Sequence, residues 1–242
     1  MSDHRPARPT TASRPETRRG ILRDALGVGL ATGAYALSFG AVSDAAGLSL
    51  LHTAALSLLM FTGGSQFAAV GVLGAGGTGL AAAGTAILLG LRNALYGLRL
   101  APLLGGTPVR RLLAAHLVID ESAAMAVVRP TVAEARLGFW ATGTSVFVFW
   151  NLGTVLGAVG AQQLSDPAVL GLDAAVPAAF AALLAPRMAG RAPWVVAVGA
   201  GVVALGTTPI LPAGAPVLLA ALVAVGVGAW AGPATPDREV SD

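Results

Sequence analysis

The chain has no cysteine and no lysine, and only 11% of its 242 residues are charged. The absence of cysteine excludes disulfides, thiolate metal sites and cysteine nucleophiles. Soluble proteins carry about 25% charged residues, and no ionisable side chain occurs in residues 192–236. A water-exposed domain cannot cover its surface with so long an apolar run. A lipid bilayer accommodates it, because one helix of about 20 apolar residues crosses the hydrocarbon core.

Apolar and small residues make up most of the chain, with 55% hydrophobic residues and 32 glycines. Small residues let helices approach closely in lipid. We therefore predict an all-α fold, a polytopic membrane bundle of about six to seven transmembrane helices with broken or re-entrant segments. Residues 39–42 and 156–159 are weakly similar in sequence. This similarity is the one sign of an inverted repeat of the kind that transporters contain.

The predicted membrane domain covers residues 23–232. It follows a disordered, Arg-rich tail of residues 1–22 and precedes a polar C-terminal tail of residues 233–242. The clearly apolar segments within it are residues 26–42, 50–73, 137–160, 169–184, 194–211 and 215–230.

The arginines predict the orientation of the chain in the membrane. Six of them precede the first apolar segment, and Arg187 and Arg191 lie between two later segments. Since cytoplasmic loops are rich in basic residues, both termini are predicted to be cytoplasmic, in a multi-pass protein of the cell membrane.

Residues 80–104 leave two layouts open, because Arg92 and Arg99 interrupt this apolar segment. In the preferred layout the segment enters the membrane and returns as two half-helices. In the other layout it crosses fully, and a more polar helix at 112–128 crosses back. The first layout keeps four further arginines on the cytoplasmic side, at positions 110, 111, 129 and 136.

A glycine pair within segment 50–73 predicts a break in that helix. Gly63 and Gly64 are followed by Ser65 and Gln66. Unwound backbone there would free N–H groups, and the following half-helix would present its positive end to an anion. These four residues are candidate ligands of a zwitterionic substrate. Ordinary close packing through a glycine pair is the alternative.

Arg92 is the strongest candidate for a binding residue, because ionisable groups at membrane depth are costly and mark functional sites. Its guanidinium can hold a carboxylate through two parallel hydrogen bonds, and Asn93 lies beside it. The alternative is a purely structural ion pair with an acidic residue elsewhere in the bundle.

A second polar group, in segment 112–128, consists of His116, Asp120 and Glu121. On a continuous helix His116 and Asp120 share one face, an arrangement suited to proton relay. We predict these three residues and Asp173 as candidates for proton or ion coupling, and Asp120 or Glu121 also as the ligand of a substrate ammonium group. The alternatives are a solvated acidic face for Asp120 and Glu121 and a helix cap for Asp173.

The sequence contains no convincing motif of an enzyme. Residues 74–79 match the dinucleotide fingerprint by letter, but they join two membrane segments and follow no strand. Walker A, nucleophile-elbow and zinc patterns are absent. The arginines form no patch interleaved with aromatic residues, which argues against nucleic-acid binding. We predict no enzymatic activity, no cofactor and no metal.

The chain resembles the AzlC family of branched-chain amino acid permeases. The resemblance rests on the stretch from Ser65 to Ala69, the run from Leu91 to Leu104 with its Arg92-Asn93 and Leu95-Tyr96-Gly97, His116 with Asp120-Glu121, and the stretch from Leu170 to Asp173. It implies the large subunit of an exporter of leucine, isoleucine, valine and possibly methionine, working with a small AzlD-type membrane protein. Tyr96 is then expected to shape the substrate pocket.

The function that we predict is proton- or ion-coupled export of branched-chain and other hydrophobic amino acids. A channel-like pore and a non-transporting membrane scaffold are the alternatives from other classes. A pore would show no saturation, and a scaffold would show no transport at all.

Overall fold

The computed structural model describes residues 18–163, 181, 184, 185, 188 and 190–231. All regular elements of this part are helices, which confirms the predicted all-α fold. Nearly all of the predicted segment 169–184, Asp173 within it, and most of both predicted tails lie outside the described residues. The helices are α1 Arg18–Ala45, α2 Leu50–Leu59, α3 Gly64–Gly74, α4 Gly79–Leu104, α5 Pro108–His116, α6 Asp120–Val127, α7 Val132–Ala161, α8 Arg191–Thr207 and α9 Ala215–Ala231.

Three helices, α1, α4 and α7, are long and apolar enough to cross a membrane. The remaining helices are shorter, and α2, α8 and α9 are strongly apolar. Leucine and valine side chains are widely exposed along α4 and α8, as expected where lipid is the solvent.

Helices α1 and α7 run parallel and pack through glycines, since small residues let helix backbones approach closely in lipid. Gly29 faces Ser145, Gly33 faces Phe149, and Gly157 lies against the backbone of Leu37. The pairing keeps one register along both helices. This close parallel pair forms the frame against which the other elements pack.

The parallel pair defines two faces of the bundle. At the beginning of both helices, Arg129 Nη2 lies 3.5 Å from Asp24 Oδ2. At their ends, Gln162 Nε2 donates to Asp44 Oδ1 at 3.0 Å. We call the first end the Arg face, because Arg129 and Arg136 lie there, and the other end the distal face.

Helices α2 and α3 form a re-entrant hairpin from the distal face. As one continuous straight helix, residues 50–74 would extend about 36 Å. However, Gly74 packs against Ala46, at the end of α1, with a hypothetical Cβ of Gly74 only 3.1 Å from the Ala46 Cβ. Since Ala46 is four residues before α2, both ends of the hairpin lie at the distal face. Its tip, residues 60–63, reaches the middle of α7, where the Phe61 and Phe147 rings are 5.1 Å apart.

Helices α5 and α6 form a second re-entrant hairpin, from the Arg face. Near its start, the Arg110 guanidinium lies over the Trp140 ring at 5.5 Å. Near its end, Met125 packs against Gly138. Its tip, residues 117–119, reaches the middle of α7, where Leu117 packs on Gly143. The two hairpins therefore enter from opposite faces, and their tips meet between α1 and α7.

The preferred layout for residues 80–104 was wrong. Instead of two half-helices, α4 is one continuous helix from the distal face to the Arg face, where Leu103 O accepts a hydrogen bond from Arg136 Nε at 2.7 Å. The helix need not break at Arg92, because Asp120 neutralises that charge within the bundle. Re-entrant segments are present, but segment 50–73, predicted to span, is one of them.

Helices α8 and α9 form an antiparallel pair beside α4. Gly199 of α8 faces Val223 of α9. The turn between them packs at the distal face, where Gly214 contacts Ala81 and the Ala213 carbonyl approaches Gly77.

Candidate functional site

Both hairpin tips border a central cavity of about 250 Å³. It lies at the middle of the long helices, with Arg92 near the midpoint of α4. Five elements contribute to its wall: α1, the tip of the first hairpin, α4, the tip of the second hairpin, and α7. The lining residues are Ala31, Thr32, Tyr35, Phe61, Thr62, Gly63, Gly64, Arg92, Ile119, Asp120, Glu121, Val146 and Trp150.

The first tip is held open by Gly63 and Gln66. Gly63 has φ +61° and ψ −92°, a backbone conformation that residues with a Cβ rarely adopt. The fully buried Gln66 side chain bridges the two half-helices. Its Oε1 accepts from Gly63 N, and its Nε2 donates to Leu56 O, both at 3.0 Å. Gln66 thus satisfies Gly63 N at the break and ties it to Leu56 O, which also accepts a hydrogen bond from Met60 N at 3.0 Å.

The second tip is held in the same way by Ser122. Its hydroxyl accepts from Ile119 N at 3.1 Å and donates to Leu117 O at 2.6 Å. In both hairpins the bridging residue is the third of the returning half-helix. The predicted continuous helix at 112–128 is therefore wrong. So is the shared face of His116 and Asp120, because the break lies between them.

Arg92 and Asp120 form an ion pair in the cavity wall. Arg92 Nη1 lies 3.2 Å from Asp120 Oδ2, with side chains 31% and 20% exposed. Arg92 Nε is buried and makes no hydrogen bond to the described residues. Asp120 also begins α6, where a negative charge is favourable next to the positive helix end. The pair presents one cationic and one anionic group to the same small cavity.

The opposite wall is aromatic and aliphatic. Tyr35 and Trp150 are in edge contact, with ring centroids 5.8 Å apart. Phe61 and Val146 complete this wall. Trp150 Nε1 is buried without a hydrogen-bond partner among the described residues, so a hydrogen-bond donor remains available beside an apolar surface.

The structure brings five of the predicted site residues together at the cavity: Gly63, Gly64, Arg92, Asp120 and Glu121. The other predicted residues within the described part lie outside its lining.

Each of those others has a different environment. Ser65 points towards Gly90 of α4, and Gln66 bridges the first tip. The buried Asn93 Oδ1 makes no hydrogen bond to the described residues. Tyr96 packs on the cluster around Leu100 and Phe139. His116 contacts the Phe61 and Phe147 rings, at 6.0 and 5.6 Å between centroids.

Sequence reasoning missed Thr32, Tyr35, Phe61 and Trp150, although all four line the cavity. One signal was available, because aromatic residues form only 5% of the chain. In so aliphatic a bundle, rings are concentrated where specific contacts are needed. Their convergence from α1, α7 and the tip of the first hairpin could not be predicted from their spacing in the sequence.

Among the described residues, no group of three or more His, Asp or Glu side chains is arranged to hold a metal ion. The site offers one cation, two carboxylates, unpaired N–H donors and an apolar wall, which together are suited to binding a small zwitterion.

Replacing Gln66 tests its bridging role. We expect Gln66→Leu to lower the free energy of unfolding by about 1–3 kcal/mol, because Gly63 N would be buried without a partner. Thermal unfolding of the purified protein in detergent measures the effect. Ser65→Ala is the matched control, since Ser65 Oγ is buried and makes no hydrogen bond within the described part of the chain, so its removal should be nearly neutral. Equal stability of both variants would contradict the assigned role of Gln66.

Comparison with protein families gives one match. The family described as AzlC protein matches residues 27–164, more than half of the chain. The chain belongs to the AzlC family. The matched region contains both hairpins, α4, α7 and every residue of the central cavity. Neither the curated proteins nor the solved structures include a significant match.

Membership indicates that this AzlC-family chain is a membrane protein with a role in amino acid transport. The AzlC family is a transporter family and not an enzyme family. The helices long enough to span a bilayer agree with that role.

Proposed function

We propose that this chain binds branched-chain amino acids in the central cavity and exports them by alternating access. The observation that carries the proposal is the Arg92–Asp120 pair, which faces an apolar wall across a cavity between two hairpin tips. At about 250 Å³ the cavity is small relative to the roughly 300–1,000 Å³ of drug-sized ligand sites. That size favours a ligand no larger than an amino acid.

The substrate carboxylate binds between Arg92 and the start of α3. The Arg92 guanidinium carries an N–H group without a hydrogen-bond partner among the described residues, and the N-terminus of α3 at Gly64 borders the same cavity. Charge-assisted hydrogen bonds to arginine and the positive helix end both favour a carboxylate there.

The substrate ammonium group binds Asp120, whose carboxylate is now paired with Arg92. A zwitterion inserted between the two charges replaces one ion pair with two and leaves the net charge of the site unchanged. The aliphatic side chain then rests on Phe61, Val146 and Trp150, where burial of apolar surface contributes about 25 cal/mol per Å². The site thus favours aliphatic over polar amino acids.

Coupling, orientation and assembly complete the proposal. Glu121 carries the coupled proton as the second carboxylate of the cavity wall. The Arg face is cytoplasmic, which is supported by the basic residues gathered there. The chain resides in the cell membrane with both termini inside, and it works with a small AzlD-type subunit.

Leucine analogues test the proposed recognition of both charges. With the purified protein, we expect unlabelled leucine and isoleucine to displace labelled leucine. Isoamylamine, which lacks the carboxylate, and 4-methylpentanoate, which lacks the ammonium group, should each compete at least about 30-fold more weakly, the factor for about 2 kcal/mol of lost charge pairing. Competition by either analogue at the strength of leucine would contradict zwitterion recognition, and unaffected binding with excess isoleucine would contradict the aliphatic specificity.

A further inference from the structure

A second and larger cavity, of about 660 Å³, lies between the central cavity and the distal face. We call it the distal cavity. Its wall consists of the second half of α3, the beginning of α4, and the turn between α8 and α9. The lining residues are Phe67, Ala68, Gly71, Val72, Ala75, Thr85, Leu89, Thr208, Leu211, Ala213, Gly214, Pro216 and Val217.

The two cavities share a continuous wall on α3. Gly64 borders the central cavity, and Ala68, Gly71 and Ala75 border the distal cavity. These four positions recur at helical spacing and so lie on one face of α3. All four residues are small, which leaves room beside the helix along that face.

A second shared wall lies on α4. Arg92 borders the central cavity, whereas Leu89 and Thr85 border the distal cavity, one and two turns nearer the distal face. These residues also occupy one helix face. A solute that leaves Arg92 towards the distal face therefore moves between the same two helices throughout.

The Phe67 ring separates the cavities. Phe67 is fully buried and lines the distal cavity. Its ring stacks on Tyr35, which lines the central cavity, with centroids 5.0 Å apart and an interplanar angle of 27°. Trp150 of the central cavity meets the same ring edge-on at 6.3 Å.

The distal cavity also contains a polar group without a partner. Thr85 is 1% exposed, and its hydroxyl makes no hydrogen bond to the described residues. A buried hydroxyl normally has a partner. The remainder of the wall is apolar except for Thr208, whose hydroxyl donates to Ala204 O at 2.7 Å. A buried hydroxyl that makes no hydrogen bond to the described residues, within a mostly apolar cavity, is suited to a ligand with an aliphatic chain and a polar head.

We propose that the distal cavity is a release site for the aliphatic amino acid and that Phe67 is the partition between it and the central cavity. This inference rests on the proposed function. Displacement of the Phe67 ring from Tyr35 joins the cavities along the shared faces of α3 and α4. The amino acid then passes to the distal side, where Thr85 can hydrogen-bond its polar head.

Single cysteines test the partition, because the natural chain has none. The full-length chain carries either Thr85→Cys in the distal cavity or Thr32→Cys in the central cavity. Intact cells and inverted membrane vesicles are treated with a membrane-impermeant cationic methanethiosulfonate, and the labelling rates are measured. The side on which Thr85→Cys reacts faster identifies the distal face.

From that side, the reagent should label Thr32→Cys slowly. Adding Phe67→Leu should raise this rate about tenfold or more, if the closed partition costs at least about 1.4 kcal/mol to open. Phe39→Leu is the matched control, because Phe39 is equally buried and packs against Phe67 without lining either cavity. If Phe67→Leu does not fold, Phe67→Met provides the same comparison with a flexible side chain.

Two results would overturn the inference. One is equal labelling of Thr32→Cys with Phe67→Leu and Phe39→Leu. The other is a Thr85→Cys thiol that does not react from either side, as in a lipid-filled groove. A separate labelling measurement in the presence of leucine tests the proposed function independently of the partition. If the Phe67 effect is present but leucine does not protect Thr32→Cys, the partition stands and the substrate assignment fails.

Discussion

Arg92→Ala should reduce leucine transport about thirtyfold or more in reconstituted vesicles, the largest functional effect expected of any single substitution in this chain. The variant removes the proposed carboxylate ligand and leaves Asp120 without its cation. Truncating one member of a charge pair costs about 2–5 kcal/mol, which corresponds to at least thirtyfold. Initial rates of labelled leucine uptake into proteoliposomes measure the loss.

Arg99→Ala is the control for this substitution. Arg99 lies on the same helix, but it is exposed and borders a groove near Arg129 at the Arg face. Its removal should change the rate by no more than about twofold, as for surface substitutions generally. Comparable losses in both variants would indicate that any arginine on α4 matters, and unchanged transport by Arg92→Ala would remove Arg92 from the site.

Gly157→Ala should have the largest effect on stability. A Cβ at this position would collide with the Leu37 carbonyl and lie 2.8 Å from the Leu37 Cα. These are backbone atoms of α1, so no side-chain rotation relieves the contact. We expect a loss at or above the upper end of the roughly 1–3 kcal/mol typical of overpacking, visible as a lower midpoint of thermal unfolding in detergent.

The same helix provides the control. Gly160, one turn away, has no atom within 4 Å of a hypothetical Cβ. Since alanine is the better helix former by about 1 kcal/mol, Gly160→Ala should be neutral or stabilising. A Gly157→Ala protein as stable as Gly160→Ala would mean that α1 and α7 do not pack as closely as described.

Much of the fold follows from the sequence, because lipid imposes simple rules. The backbone of a segment surrounded by lipid must satisfy its own hydrogen bonds, so long uncharged segments form helices. The 32 glycines predict close helix packing, but the partner helices, α1 and α7, could not be named from the sequence. The layout of residues 50–104 did not follow. Segment 50–73 is long and apolar enough to cross, whereas 80–104 contains Arg92, so the criteria of length and charge assigned re-entry to the wrong segment.

Tertiary pairing explains that error. Asp120 neutralises Arg92 within the bundle, and this contact joins two segments far apart in sequence. The arginines did give a correct constraint. Three apolar segments precede Arg110, so one of them must not cross the membrane if Arg110 is to lie on the same side as the N-terminus. The break at 60–63 was predictable from Gly63. The break at 117–119 was not, because Ser122 holds it without any glycine or proline.

The candidate site was predictable where it depends on ionisable groups. Arg92, Asp120 and Glu121 do border one cavity, as their position at membrane depth suggested, although their roles remain proposals. The aromatic wall could not be predicted, because Tyr35 and Trp150 lie on two different helices and Phe61 lies in the tip of the first hairpin. The sequence predicts Gln66 as a substrate ligand, whereas in the structure its amide bridges the two half-helices outside the cavity lining. An amide in either role looks the same in sequence.

The most direct test of the central claim is a structure of the protein determined with leucine bound. The account predicts leucine in the central cavity, with its carboxylate within hydrogen-bond distance of the Arg92 guanidinium and its ammonium group beside Asp120. The isobutyl group should contact Trp150. Leucine bound elsewhere, with the direct Arg92–Asp120 contact intact, would contradict the account.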